Sequence, residues 1–284
     1  MKFGLRYCNT GRYVDPKEAV ALAQAAEAAG FESLWTVEHT VVPAGYASAY
    51  PYDPSGKMAG GRNDIPLPDP LIWMAFVAAA TTRIKLATGI LILPQHNPVL
   101  AAKQIATLDH LSGGRILLGV GVGWLQEEFA ALGVPFAERG ARMDEYIAAL
   151  RELWSADKPT FKGRFVAFEG AYCRPQPVAK AVPIVVGGHS EAAARRAGRL
   201  GDGFFPARGA PPELIAIARQ AAEAAGRRQA RDHRELAGRS GRGRCAAPAR
   251  RDEGARPLGR GRRPRCAHPR ARGPRQLGTN HHTV

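Results

Sequence analysis

Residues 83–124 constrain the fold most, because they have the pattern of a strand, a helix and a second strand. Residues 84–93 form a continuous apolar run with β-branched members, which is typical of a parallel strand buried on both faces. Asn97-Pro98 suits a helix start, with Asn97 as the cap and proline where a missing N–H costs nothing. Gly113-Gly114 ends that helix, and a second apolar run occupies residues 115–121. These features predict a βαβ unit, in which ligands lie at the carboxyl ends of the strands.

The same alternation of strand and helix runs through residues 1–226, which we predict to be the folded domain. The other predicted strands lie at residues 3–7, 33–37, 183–186 and 203–205, and the other predicted helices at residues 15–30, 69–80, 124–132, 138–154, 191–200 and 211–225. Residues 160–169 have the pattern of a small hairpin, and residues 40–68 form a long loop. The pattern predicts an α/β fold of the (β/α)8 TIM-barrel type, incomplete because six of the eight units are recognisable.

The net charge of +15 is concentrated in residues 227–284, which carry +13, whereas residues 1–226 carry +2. This last stretch is rich in Arg, Gly, Pro and Ala and has no helical or alternating pattern, so we expect disorder. One interpretation is a basic arm that binds nucleic acid or another polyanion without sequence specificity. The other is an out-of-frame translation of GC-rich DNA in place of the last barrel units, which the abrupt change at Gly226-Arg227 favours.

Membrane, metal and disulfide classes are disfavoured by the sequence. No apolar run reaches the roughly 18 residues of a membrane span, and residues 1–7 enter a strand pattern without the layout of a signal peptide. The 4 cysteines lie far apart and form no CxxC pair. We therefore expect a cytoplasmic protein with no metal site and no membrane partner.

Two features at predicted strand ends indicate chemistry. His39 ends the second strand, and its imidazole titrates near neutrality, so it can accept or donate a proton; the alternative is a histidine that only binds loop backbone. Residues 187–190 (GGHS) follow the fifth strand and precede a helix, where backbone N–H groups suit a phosphate. Gly119, Gly121 and Gly123 do not form a GxGxxG fingerprint, and we interpret them as making room for a cofactor.

Five blocks of sequence resemble the luciferase-like monooxygenase superfamily, and most of all its deazaflavin (coenzyme F420) oxidoreductases. The blocks lie at residues 26–39, 80–98, 103–124, 133–145 and 182–206, in the family's order. The resemblance implies a (β/α)8 barrel, usually dimeric, with the cofactor ring at the carboxyl ends of the strands. It also implies a non-proline cis peptide bulge behind the ring, near Thr88, Gly89 and Ile90. His39 resembles the family's active-site histidine, whereas Trp124 stands where some deazaflavin enzymes carry a catalytic Glu.

The site predicted from these patterns and this resemblance has three parts. His39 is the catalytic residue, and Trp124, Tyr46 and Tyr50 line a substrate pocket; for the tyrosines, with Tyr52, a floppy insertion is the alternative. The predicted cofactor-binding residues are Thr88, Gly89, Ile90, Asn97, Gly121, Gly123, Gly187, Gly188, His189 and Ser190.

The predicted function is hydride transfer between coenzyme F420 and a small organic substrate, by a homodimer. The alternatives are an FMN-dependent monooxygenase that uses O2, and a polyanion-binding protein that acts through residues 227–284.

Overall fold

Six parallel strands, each followed along the chain by at least one helix, form a single sheet in the computed structural model, which describes residues 2–209 and 211–227. The predictions for residues 228–284, including disorder and the basic arm, lie outside the described residues. The strands are β1 Gly4–Arg6, β2 Ser33–Thr36, β3 Lys85–Thr88, β4 Ile116–Val120, β5 Phe161–Lys162, β6 Ala167–Phe168, β7 Ile184–Gly188 and β8 Gly203–Pro206. The helices are α1 Pro16–Ala28, α2 Pro70–Ala78, α3 Pro98–Ser112, α4 Gln126–Ala131, α5 Arg139–Ser155, α6 Glu191–Leu200 and α7 Pro212–Ala224.

The strands lie in the order β1-β2-β3-β4-β7-β8, so neighbours in space are neighbours in the chain once the small hairpin is set aside. That hairpin pairs β5 with β6 in antiparallel register, as the pattern at residues 160–169 predicts. Parallel strands in chain order with helical crossovers are the arrangement of a (β/α)8 barrel. The predicted fold class is therefore confirmed, with six barrel units in the described part of the chain.

The sheet is curled, and two aromatic rings on its inner face show this directly. Trp35 of β2 stacks on Phe205 of β8 with 4.9 Å between ring centroids and 11° between planes. Three strands separate β2 from β8 in the sheet, so the rings can meet only if the sheet bends toward this face. The guanidinium of Arg6 lies 4.8 Å from the centre of the Phe205 ring and brings the two edge strands together. The inner-face cluster consists of Trp35, Ala87, Leu117, Val185 and Phe205.

Helix starts follow from local chemistry, as the sequence predicts. The side chain of Asp15 accepts hydrogen bonds from the N–H groups of Lys17 and Glu18, and proline follows it at the start of α1. Asp69 caps α2 through the N–H of Ile72. Asn97 caps α3 through the N–H groups of Val99 and Leu100. These three side chains fix where the crossover helices begin after β1, β2 and β3.

The βαβ unit at residues 83–124 differs in two details from its sequence pattern. Strand β3 ends at Thr88, although the apolar run continues to residue 93, because the chain leaves the sheet at Gly89 and resumes pairing only through a bridge between Leu91 and Val120. On α3, Leu100 and Leu111 recur at helical spacing with the buried Ala101, Ile105 and Leu108, yet they are 57% and 76% exposed. Periodicity identifies a helix, but it does not fix which edge of the apolar stripe reaches the core.

Glu27 of α1 holds the turn that leads into β3. Its carboxylate accepts hydrogen bonds from the backbone N–H groups of Thr82, Arg83 and Ile84, at 3.0, 2.7 and 2.8 Å. Burial raises the pKa of Glu27, but these hydrogen bonds outweigh it and lower the pKa from 4.5 to about 2. The ionised form of this side chain therefore ties α1 to the turn before β3.

We expect Glu27→Gln to make the free energy of unfolding less sensitive to acid. A depressed folded-state pKa stabilises the protein above the unfolded value of 4.5, and that contribution is lost as the pH falls toward 2. Urea unfolding between pH 7 and pH 3 measures the effect, with Glu223→Gln on the exposed face of α7 as the matched control. An equally steep acid dependence in Glu27→Gln and the unsubstituted chain would contradict the assignment.

Within residues 2–209 and 211–227, no helix is both long enough and apolar enough to cross a bilayer.

Candidate active site

The predicted site residues gather at the carboxyl ends of the strands, where barrel enzymes carry their chemistry. His39 lies three residues after β2, and a bulge of the chain follows β3 directly. The glycine-rich turn at residues 121–123 follows β4, and residues 187–190 run from the end of β7 to the start of α6. Parallel strands in adjacent positions bring these four segments to one rim of the sheet.

His39 is paired with a buried carboxylate that the sequence analysis does not single out. Its Nδ1 lies 2.9 Å from Oε2 of Glu128, on α4. The side chain of Glu128 is fully buried and that of His39 is 9% exposed. Oε1 of Glu128 also accepts hydrogen bonds from the backbone N–H groups of Thr40 and Val41, at 2.6 and 3.3 Å. One carboxylate therefore fixes both the imidazole and the chain that follows it.

Glu38 orients a different histidine. One of its carboxylate oxygens lies 2.8 Å from Nε2 of His96, and the other accepts a hydrogen bond from the N–H of Ile92. Burial lowers the pKa of His96, but the hydrogen bond and charge of Glu38, with the carboxylates of Asp69 and Glu128, outweigh it and raise the pKa. Glu38, although it is next to His39 in the chain, therefore orients His96, and the carboxylate that pairs with His39 is that of Glu128.

Trp124 is the centre of an aromatic cluster that includes His39. The rings of His39, Tyr46 and Tyr50 meet it edge-on, with centroids 5.8, 5.4 and 5.1 Å away. Tyr52 packs on Tyr50 at 5.4 Å. Burial, and to a lesser degree the neighbouring hydroxyls of Tyr7 and Tyr52, raise the pKa of Tyr50 to about 12. The residues predicted to line a substrate pocket are thus brought together beside His39.

The long loop at residues 40–68 is hydrogen-bonded at several points, both within itself and to α4. Tyr46 is 3% exposed, and its hydroxyl accepts a hydrogen bond from the N–H of Met58. Glu127 accepts hydrogen bonds from the N–H groups of Ala47 and Ser48 and from the Ser48 hydroxyl. Two consecutive glutamates at the start of α4 therefore hold the loop, Glu127 at residues 47–48 and Glu128 at residues 39–41.

A cis peptide bond joins Gly89 to Ile90, within the three residues where the resemblance implies a non-proline cis bulge. The hydroxyl of the fully buried Thr88 donates a hydrogen bond to the carbonyl oxygen of Gly119, at 2.6 Å. A Cβ at Gly119 would lie 1.8 Å from the carbonyl oxygen of Thr88, so only glycine fits there. The bulge and β4 are thus fitted to each other through backbone atoms.

The space beside the site glycines is occupied by other side chains of the protein. This differs from our interpretation that these glycines make room for a cofactor. A Cβ at Gly121 would lie 2.6 Å from Cδ1 of Ile90, and one at Gly187 would lie 2.4 Å from Cγ2 of the same side chain. Gly123 has φ +76°, and its added Cβ would meet Ile92 and Phe129 at 2.8 Å. Ile90 therefore occupies the space beside β4 and β7 and is itself only half-buried.

Residues 187–190 have the geometry of a helix start. Ser190 caps α6 by accepting a hydrogen bond from the N–H of Ala193 at 3.2 Å. Gly188 has φ +141°, and a Cβ there would lie 2.6 Å from Cβ of Ala193. Nδ1 of His189 accepts a hydrogen bond from the backbone N–H of Arg208 at 3.4 Å. The positive end of a ten-residue helix is thus exposed at this rim, while phosphate binding there stays a prediction.

Asn97 stands apart from the other predicted cofactor residues. It is exposed, and its side-chain oxygen is used as the cap of α3.

Within residues 2–209 and 211–227, no group of at least three His, Cys, Asp or Glu side chains has the arrangement that a metal ion requires.

A sequence model of the luciferase-like monooxygenase family matches residues 3–257. This chain belongs to the luciferase-like monooxygenase family. An uncharacterized Mycobacterium tuberculosis protein is 36% identical to it over 187 residues, which are 66% of this chain and 65% of that one. The chain thus spans slightly less than two thirds of the length of that luciferase-like relative.

Two relatives of this luciferase-like protein have names that state an activity. The F420-dependent glucose-6-phosphate dehydrogenase of Amycolatopsis mediterranei is 35% identical over 205 residues, which are 70% of this chain and 56% of that protein. The FMNH2-dependent dimethylsulfone monooxygenase of Pseudomonas fluorescens is 36% identical over 188 residues, which are 65% of this chain and 46% of that protein. The family therefore includes members that use F420 and members that use FMN.

Solved structures agree on the fold of this luciferase-like chain. The monooxygenase RslO1 from Streptomyces bottropensis has a TM-score of 0.63 at 29% identity, over 80% of this chain and 68% of that chain. An F420-dependent secondary alcohol dehydrogenase has a TM-score of 0.65 at 24% identity, over 81% and 66% of the two chains.

Proposed function

We propose that this luciferase-like protein is an oxidoreductase that uses coenzyme F420 and a small organic substrate. One observation carries the proposal: a histidine held by a buried carboxylate lies at the same rim of the sheet as the Gly89-Ile90 bulge. A dehydrogenase needs a side chain that takes up or supplies a proton as hydride leaves or arrives, and an imidazole does so near neutral pH. The 35% identity to an F420-dependent dehydrogenase supports the same class.

The residues at this rim have the chemical properties that such a cofactor requires. Gly89 presents no side chain, and Ile90 is half-exposed and apolar, which suits the face of a flat ring. The N-terminus of α6, after Gly187-Gly188, suits the cofactor's phosphate. When bound, F420 supplies the hydride donor or acceptor.

The substrate binds, in this proposal, to the residues around Trp124. Tyr46, Tyr50 and Trp124 place aromatic surface beside His39, and apolar substrate groups that pack on this surface would exclude water from the reacting atoms. In this proposal His39 supplies or takes up the proton that accompanies the hydride, at oxygen for an alcohol or a carbonyl compound and at carbon for an activated double bond.

A second candidate is an FMN-dependent monooxygenase that uses O2. Trp124 favours it, because this tryptophan stands where the resemblance leads us to expect a Glu in some deazaflavin enzymes. The 36% identity to an FMNH2-dependent monooxygenase supports it as well. The two candidates share the fold and the bulge and differ in the ring that is bound.

A fluorescence titration of the full chain with F420 and with FMN separates the candidates. We expect saturable one-to-one binding of F420, with FMN binding at least tenfold weaker. Preference for FMN would replace the first candidate with the second. Binding of neither cofactor, by a chain whose circular dichroism shows it to be folded, would contradict both.

We also propose that the protein forms a homodimer through α2 and α3. Both helices expose apolar side chains, with Ile72 72%, Phe76 48%, Leu100 57% and Leu111 76% exposed. We expect a dimer by light scattering after size exclusion, and a monomer with unchanged circular dichroism for the double variant Ile72→Asp, Leu111→Asp. Arg195→Asp on α6 is the control and is expected to stay dimeric. A monomeric unsubstituted chain would contradict the proposal.

A further inference from the structure

We propose that Glu128 is the positioning residue of His39: it keeps a proton on Nδ1, so that Nε2 is the nitrogen at which a proton is taken up or released. The consequence for turnover rests on the proposed function. The protonation pattern itself is a property of the chain without cofactor.

With Glu128 as a carboxylate, the hydrogen bonds around it allow only one placement of the hydrogen on the His39 ring. Oε1 is engaged by the backbone N–H groups of Thr40 and Val41, and both of those groups can only donate. Oε2 faces Nδ1 of His39 at 2.9 Å. An ionised carboxylate only accepts, so Nδ1 must donate to it. Nδ1 therefore carries hydrogen in both the neutral and the charged imidazole.

Nε2 is the remaining nitrogen of the ring. Among the described residues it has no hydrogen-bond partner, although the ring is almost buried. Glu38, which precedes His39 in the chain, has its two carboxylate oxygens engaged by Ile92 and His96. Trp124 meets the imidazole edge-on and carries no charge. Nε2 is therefore the atom of this pair that is free to bind a substrate oxygen.

The two histidines at this rim are consequently not equivalent. His96 uses Nε2 to bind Glu38, whereas His39 uses Nδ1 to bind Glu128 and keeps Nε2 free. A fully buried carboxylate also resists rotation of the imidazole, because turning the ring would leave a buried charge without its partner. Glu128 thus sets both the tautomer and the direction of the His39 ring, as the orienting carboxylate of a catalytic triad does.

Glu128→Gln is the decisive variant, because it keeps size and removes one acceptor. Its single oxygen is needed by the N–H groups of Thr40 and Val41, so its NH2 group faces Nδ1 of His39 and requires Nδ1 to accept. The proton then moves to Nε2. Glu127→Gln is the matched control, since Glu127 lies next in the chain and binds Ala47 and Ser48 instead.

The test is nitrogen-15 NMR of the imidazole at pH 8 in the cofactor-free full chain, with His39→Ala to assign the signals. We expect the Nδ1–H form in the unsubstituted chain and in Glu127→Gln, and the Nε2–H form in Glu128→Gln. With cofactor and substrate, kcat of Glu128→Gln should fall on the order of 10²–10⁴-fold, with cofactor Kd unchanged.

Two results would overturn the inference: an Nε2–H tautomer in the unsubstituted chain, or an unchanged tautomer in a folded Glu128→Gln. The first needs no variant, so it decides the question even if Glu128→Gln fails to fold. If neither F420 nor FMN binds, the proposed function fails, whereas the tautomers still decide the role of Glu128.

Discussion

His39→Ala is expected to lower kcat on the order of 10²–10⁴-fold, while the Kd for the cofactor changes less than about threefold. The reason is geometric: the imidazole belongs to the aromatic cluster at the substrate side, whereas the residues proposed to hold the cofactor follow β3, β4 and β7. Steady-state turnover and fluorescence titration of the same preparation measure the two effects. The substitution also leaves Glu128 buried without its partner, so thermal unfolding must accompany the kinetics.

His110→Ala is the control for that experiment, because His110 is exposed on α3, away from the strand ends. It should leave both kcat and Kd unchanged. Unaltered turnover in a folded His39→Ala would remove His39 from the chemistry. An equal loss of cofactor binding would instead make it a cofactor ligand.

Gly119→Ala is expected to destabilise the protein by about 3 kcal/mol or more. The added Cβ would lie 1.8 Å from the carbonyl oxygen of Thr88, a backbone atom that cannot move without shifting the bulge. Neighbouring contacts add to the cost, since Thr88 donates its hydroxyl hydrogen bond to the Gly119 carbonyl. Denaturant unfolding followed by circular dichroism measures the loss.

Gly140→Ala is the matched control for this second prediction. Gly140 lies in α5, and a Cβ there would meet only the end of the flexible Arg196 side chain, at 3.2 Å. Alanine at this second position of α5 should be neutral or stabilise the protein by up to about 1 kcal/mol, because glycine loses more backbone entropy on folding. Equal, small effects of the two substitutions would contradict the close fit between the bulge and β4.

Much of the fold follows from the sequence, because parallel strands and their crossover helices are marked locally. Buried strands appear as apolar runs, and Asp15, Asp69 and Asn97 announce their helices with a proline directly after the cap. The end of strand β3, in contrast, cannot be predicted from local sequence. The apolar run at residues 84–93 has no break that marks the departure of the chain from the sheet at Gly89, which depends on the fit to Gly119 and Gly121.

For the candidate site as well, some residues are predicted from the sequence and others are not. His39, Trp124 and the tyrosines are predicted from strand ends, from the loop and from the resemblance. Glu128 is missed, because a glutamate in the first turn of a short polar helix is usually solvated. Its contact with His39 joins residues 89 apart in the chain, and only the folded chain brings α4 to the segment that follows β2. No local pattern in the sequence carries that information.

A crystal structure of the full chain grown with F420 or FMN is the most direct measurement. The ring is expected against the Gly89-Ile90 bulge, with Nε2 of His39 on the side where the substrate lies. A ring bound elsewhere on the protein, or one that leaves His39 out of reach of any substrate on it, would contradict the assignment of this rim as the active site.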